Sequence, residues 1–261
     1  MFDFHMHSRV SYDTDSDPLA MVLAAKNAGL REICFTDHSD YCPGVAHSTI
    51  SFSREQYRTA YENLSVPGIT IRHGMELGLS SEFTEEMDAE TAAFPYDFIL
   101  GSIHCVDGID TYFPELWRGR DPRQIERRYF EAMLDCVSRC SCFDVLSHMT
   151  FISKSPCNPA PRIIPPEDYG ELVDEILRIL VRKGKGMEIN TSGVDKIGDF
   201  FPGLPYLRRF RELGGEIVTV GSDAHAPDRV GQYIPAALDA AREVFGYVCT
   251  FEQRKPVFHK L

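Results

Sequence analysis

The chain has 261 residues, of which 43% are hydrophobic, and carries a formal net charge of −12. That length suits one α/β barrel domain over residues 1–261, and the apolar fraction supports a large core. No basic stripe marks a partner for long nucleic acid. No apolar run reaches the ~18 residues of a membrane span, and no basic segment leads into an apolar one at the start, so a cytoplasmic protein without a membrane partner is expected.

Short β-rich runs alternate with helical patterns along the chain. Residues 1–6 (MFDFHM) form the first strand, and the chain is expected to begin inside it. A helix over 17–29 follows, with Asp17 as N-cap, Pro18 at the first helical position and Gly29 as terminator. Further strands are predicted at 31–36, 69–76, 97–103, 143–147, 186–190 and 216–221. Between the fifth and sixth, residues 167–183 place Leu172, Val173, Ile176, Leu177, Ile179 and Leu180 on one helical stripe. Pro165 and Pro166 precede that stripe and Gly184 ends it.

Strand–helix units in series imply parallel strands joined by right-handed crossovers. A closed or nearly closed barrel is favoured over an open doubly wound sheet, because no Gly-rich phosphate fingerprint follows the first strand. Two long loops, 105–120 and 149–166, have the length of lids or binding loops. The eight cysteines are expected to be reduced thiols. Cys136, Cys140 and Cys142 lack the paired C-x₂-C spacing of zinc knuckles.

The chemistry lies at the strand ends. His5, His7, His38, His104, His148 and His225 all fall there, joined by Asp37, Glu76 and Asp223. In βα barrels the C-terminal strand ends build the active site, so residues distant in sequence converge. Alternation along the first strand puts Asp3, His5 and His7 on one face and Phe2, Phe4 and Met6 on the other. His73, at an odd offset from Glu76, reads as structural, and His47 and His259 have no partner nearby. A lone strand-end histidine is usually a core residue. Here five of seven strand ends carry histidine and a sixth carries Glu76, and only strand six (Glu188-Ile189-Asn190) lacks an evident ligand. Mixed His and carboxylate donors are the usual ligands of hydrolytic metals. Bound divalent cations would also offset part of the −12 charge.

The motifs DFHMHS (3–8), FTDHSDY (35–41), GMELG (74–78), GSIH (101–104), DVLSH (144–148), EINTSG (188–193) and GSDAH (221–225) resemble, in order, those of the PHP (polymerase and histidinol phosphatase) superfamily. FTDHSDY, INTSG and the closing FEQRKPVF are most similar to its histidinol-phosphatase branch. The resemblance implies a distorted, TIM-like (β/α)₇ barrel with two or three divalent ions, Zn, Mn or Fe. By the same resemblance, His5, His7, Glu76 and Asp223 hold the first metal. Glu76, His104 and His148 hold the second. Asp13, His38 and His225 hold the third, with Asp15 and Asp17 as neighbouring acids. The implied reaction converts L-histidinol phosphate to L-histidinol and phosphate by attack of a metal-bound hydroxide, with Asp223, His225 or a metal-bound water as proton donor. Where the branch places a phosphate-gripping Arg, this chain has Asp195, and Lys196, Lys154 and Arg162 are the candidate replacements. The rival readings are a PHP phosphodiesterase or exonuclease, a nucleotide or phosphotyrosine phosphatase, and a non-catalytic metal-binding PHP module.

Overall fold

The computed structural model describes residues 1–42 and 49–261, which leaves His47 outside the described residues. Seven strands carry the fold: β1 (Phe2–Met6), β2 (Glu32–Phe35), β3 (Thr70–Gly78), β4 (Phe98–Ser102), β5 (Val145–Leu146), β6 (Gly186–Asn190) and β7 (Val218–Gly221). Each pairs in parallel with the next, in chain order. The ring closes just beyond β7, where Met6 bridges Ala224. There the Asp223 amide donates to the His5 carbonyl (2.8 Å) and the His7 amide to the Ala224 carbonyl (2.9 Å). The sheet is therefore a nearly closed barrel and not an open one.

A helix follows each strand: α1 (Pro18–Asn27), α2 (Arg54–Tyr61), α3 (Thr84–Ala92), α4 (Pro122–Arg139), α5 (Gly170–Arg182), α6 (Leu204–Glu212) and α7 (Ile234–Val244). The Asp17 side chain caps α1 by accepting from the Ala20 amide, and Gly29 leaves the helix with φ of +75°. In α5 the residues Val173, Ile176, Leu177 and Leu180 are buried, as the apolar stripe requires. The outer core between helices and sheet includes Met6, Ile33, Met75 and Leu146.

The barrel interior differs. Phe4, Cys34, Phe98, Leu100, Val145 and Phe251 form a second cluster. Phe251 comes from a C-terminal hairpin of β8 (Tyr247–Glu252) and β9 (Lys255–Lys260). The hairpin turn docks on residues that precede β4 and β5. Arg254 donates from its amide to the Asp97 carbonyl (2.9 Å) and from its side chain to Asp144. One end of the barrel is thereby plugged with apolar side chains, and the other is left to polar ones.

Two expectations need correction. Asp3 pairs with Ile33 and Met6 with Phe35, so β1 holds one residue more than β2 between them. This bulge breaks the alternation. Phe4 joins the inner cluster while Met6 joins the outer one, and Asp3 accepts from the Ser222 and Gly231 amides. The thiols are also not all reduced, since Cys42 and Cys105 form a disulfide with Cα atoms 5.9 Å apart. A short strand His38–Tyr41 pairs with β3, opposing His38 to Glu76, and so carries Cys42 toward the residue after His104. Cys136, Cys140 and Cys142 are buried free thiols.

Candidate metal centre

The polar end of the barrel gathers around Glu76, near the end of β3 and fully buried. Its Oε2 lies 3.0 Å from His5 Nε2, 3.4 Å from His7 Nε2 and 3.3 Å from His38 Nδ1. Its Oε1 lies 2.7 Å from His148 Nε2 and 3.3 Å from His104 Nε2. One carboxylate thus faces two donor groups. Asp223 Oδ1 completes the first at 3.6 Å from His5 Nε2 and 3.4 Å from His7 Nε2. His5, His7, Glu76 and Asp223 then offer ligand atoms within 4.8 Å of one another, as do Glu76, His104 and His148. A further group joins His7, His38 and His225. Asp13 Oδ2 reaches it at 2.9 Å from His225 Nε2 and 3.5 Å from His38 Nε2. Of the neighbouring acids, Asp17 is spent on capping α1 and on Arg9, whereas Asp13 contacts the histidines.

Ring packing reinforces the convergence. His7 stacks on His38 (4.4 Å between centroids) and on His225 (4.1 Å). Gly221 makes room for the group, because a Cβ there would collide with His5 and Glu188. Asp223 holds φ of +56°, a backbone state rarely occupied outside glycine, and such outliers cluster at functional sites.

Several positioning residues were not singled out from sequence. Glu188 Oε1 accepts from His5 Nδ1 at 2.7 Å, and its Oε2 accepts from the His148 amide at 2.9 Å. Strand six therefore contributes an orienting carboxylate. The signal was present, since Glu188 and Asn190 share a strand face and both reach His5. Asp40 Oδ1 holds His104 Nδ1 at 2.6 Å, and its Oδ2 accepts from the Tyr12 hydroxyl at 3.1 Å. Asp37, which the sequence did place among the strand-end acids, accepts from the Ser8 amide, Ser11 Oγ and Tyr61, which fixes the β1 and β2 exits together.

The electrostatics follow from burial and crowding. Burial depresses the His5 imidazole, but Glu188, Glu76 and Asp223 outweigh it and hold it well above its ordinary value. His104 is raised in the same way by Asp40 and Glu76 against burial. For His38, burial is likewise outweighed, by Glu76, Asp40 and Asp13, to about 9. His7 is held well below by burial and by His225 and His38, and burial also lowers His148. Burial would raise the Glu76 carboxyl, yet His5, His38 and His104 keep it well below the usual range. The pocket therefore collects positive charge between buried carboxylates, and divalent cations would supply that charge directly.

The donor set passes a second test of fit. His7 Nε2 and His38 Nδ1 are buried without a hydrogen-bond partner. Such an atom costs about 1–3 kcal/mol unless a ligand engages it. Imidazole and carboxylate donors at this spacing suit divalent transition metals.

Above these residues opens a cavity of about 400 Å³, with a wall formed by Tyr12, Asp110, Thr111, Tyr112, Phe113, Phe151 and Lys154. Both long loops contribute, as their length anticipated. Lys154 Nζ lies 2.8 Å from both Asp223 Oδ2 and Ser192 Oγ and sits over the Phe151 ring. The other two candidate cations lie elsewhere. Arg162 pairs with Glu126 and Asp168, and Lys196 is exposed on the short helix Val194–Ile197. Asp195 turns to Arg229 (2.8 Å), the Tyr233 hydroxyl (2.6 Å) and Gln232 (3.1 Å) and does not line the cavity. His73 packs among Tyr57 and Tyr61, and His259 bonds Thr250 and meets Phe2, so neither joins the site.

Comparison with known proteins identifies the family. The family model described as "PHP domain" matches residues 3–192. A histidinol-phosphatase of Lactococcus lactis is 32% identical over 235 residues, covering 87% of this chain and 85% of that protein. A probable histidinol-phosphatase of Clostridium acetobutylicum is 28% identical over 254 residues, covering 97% and 98%. The crystal structure of histidinol phosphate phosphatase from Lactococcus lactis, complexed with zinc, L-histidinol and phosphate, superposes with a TM-score of 0.84. That match is at 29% identity and covers 98% of each chain. With its strand-end histidines gathered on Glu76 and a family match across most of its length, the chain belongs to the PHP domain family.

Proposed function

We propose that this barrel, residues 1–261, hydrolyses L-histidinol phosphate to L-histidinol and phosphate in a metal-dependent reaction. The observation that carries the reading is Glu76, whose two oxygens face separate histidine pairs, His5 with His7 and His104 with His148. On this reading His5, His7, Glu76 and Asp223 hold one ion and Glu76, His104 and His148 a second, while Asp13, His38 and His225 hold a third. Zinc is the favoured metal, with Mn and Fe also compatible with the donors. Divalent ions held there supply Lewis acidity and hydroxide at neutral pH.

The protein's own groups do the rest. Lys154 is the one lysine or arginine lining the cavity among the described residues, and it offsets charge on the phosphoryl oxygens. It replaces the Arg that the branch carries at position 195, while Asp195 is neutralised by Arg229. Burial would raise the Asp223 carboxyl, but Lys154, His5 and His7 hold it well below the usual range, so it stays ionised. Asp223 is therefore not the proton donor to the leaving alkoxide; His225, a third exposed at the cavity wall, can donate that proton only where it does not hold the third ion, and a metal-bound water would supply it otherwise.

The test is a substrate panel on protein loaded with Zn²⁺ or Mn²⁺: L-histidinol phosphate, a dinucleotide diester and a phosphotyrosine peptide. Turnover of L-histidinol phosphate at least tenfold above the others is expected. Turnover of the diester alone would refute the proposal.

A further inference from the structure

Six of the cysteines are free thiols, while Cys42 and Cys105, 63 residues apart in sequence, are joined. The bond falls where two segments of the metal centre end. Cys105 directly follows His104. Cys42 comes two residues after Asp40, whose Oδ1 lies 2.6 Å from His104 Nδ1.

Neither segment is locked there by the barrel sheet. The strand His38–Tyr41 pairs with β3 only as far as Asp40, opposite Gly78. β4 ends at Ser102, and the short strands Cys105–Val106 and Ile109–Asp110 beyond it pair only with each other. The disulfide is therefore the covalent tie across the Asp40–His104 contact. That contact has a chemical role. A carboxylate can only accept, so His104 Nδ1 donates to Asp40, and the Nε2 lone pair is left for the side of Glu76, whose Oε1 lies 3.3 Å away. The tie is also reachable. Cys42 is buried, but Cys105 is partly exposed and lines an outer groove of about 600 Å³ with Asp107, Arg128 and Glu131. That groove shares no lining residue with the metal cavity.

Resting on the reading that Glu76, His104 and His148 hold an ion, we infer that the Cys42–Cys105 disulfide is a reducible tether that positions Asp40 on His104, so that a dithiol reductant lowers the chain's hold on that ion. One thiolate of the reductant attacks Cys105 Sγ from the groove, and Cys42 leaves as a thiolate that takes up a proton. The second thiol of the reductant then attacks its own sulfur in the mixed disulfide and releases Cys105. Two electrons and two protons pass to the protein, and the reductant becomes a cyclic disulfide. The loosened Asp40 no longer fixes the His104 tautomer, and loss of such an orienting partner typically costs 10–100-fold in metal affinity.

The test is zinc competition against chromophoric chelators on oxidised protein and on protein treated with dithiothreitol and desalted without air. Thiol counts on the denatured chains, six and eight, define the two states. The zinc step that vanishes in His148→Ala marks the ion at His104. Reduction is expected to weaken that step roughly tenfold or more, to leave the step at His5 and His7 within twofold, and to be reversed by reoxidation. Cys42→Ser with Cys105→Ser should match the reduced protein. Asp40→Ala should weaken the same step in the oxidised state and remove the further response to reduction. A response confined to neither step, an equal loss at both, or a full response in Asp40→Ala would overturn the inference, as would eight thiols under oxidising conditions. Zinc binding that ignores the thiol state sinks the tether alone, whereas oxidised protein that binds no zinc sinks the metal reading with it.

Discussion

Glu188→Gln changes one atom and perturbs the centre through a positioning residue. The carboxylate can only accept, so His5 Nδ1 must donate to Glu188 Oε1, and the Nε2 lone pair is left for the site. The other oxygen accepts from the His148 amide, a donor that cannot change role. A glutamine side chain must keep its oxygen toward that amide and turn its NH₂ toward His5. His5 Nδ1 then becomes an acceptor and the ring proton moves to Nε2, which blocks it as a ligand. Loss of an orienting partner of this kind typically costs 10–100-fold in metal affinity, or about 1.4–2.7 kcal/mol. The assay is zinc competition against a chromophoric chelator, with circular dichroism confirming that the fold is intact. Zinc affinity within twofold of wild type in a folded variant would refute the reasoning.

Other perturbations have distinct signatures. Gly221→Ala places a methyl against His5 and Glu188 and is expected to cost about 1–3 kcal/mol by overpacking; it should also cut phosphatase activity at least tenfold, read by thermal melts and phosphate release. Phe98→Ala removes a ring held between Phe4 and Phe251 at the opposite end. It should lower stability by about 3–5 kcal/mol while leaving the zinc stoichiometry of the folded protein unchanged. Protons also compete with metal. His5, His38 and His104 have raised values in the folded chain, so their stabilisation is fully present below about 6.5 and, for His38, lost as pH rises through about 9. Over that window the melting temperature of chelator-treated protein is expected to fall while zinc affinity rises. Calorimetry in two buffers of different ionisation enthalpy should show release of roughly two to three protons per chain at pH 7, and no release would contradict the protonation states.

What was legible in the sequence was what local pattern encodes. Periodicity and punctuation located each barrel strand to within a few residues, and the strand-end histidines pointed at one site because a barrel leaves them a single place to meet. The misreadings all depend on partners far along the chain. The β1 bulge is defined only by its register against β2. Cys42 finds Cys105 across 63 residues. Arg162 resembled a phosphate ligand until Glu126 and Asp168 were seen beside it. Asp195 stands where the branch places an Arg, and its pairing with Arg229, which turns it from the cavity, is visible only in the fold. Glu188 was overlooked because an acid in mid-strand reads as an exception to burial, whereas here its two oxygens are both engaged.

The most direct test of the central claim is anomalous diffraction at the zinc edge from crystals of the zinc-loaded protein. The account predicts peaks on both sides of Glu76, one bounded by His5, His7 and Asp223 and the other by His104 and His148, with a third beside Asp13, His38 and His225. A map with no anomalous peak in contact with Glu76 would contradict it.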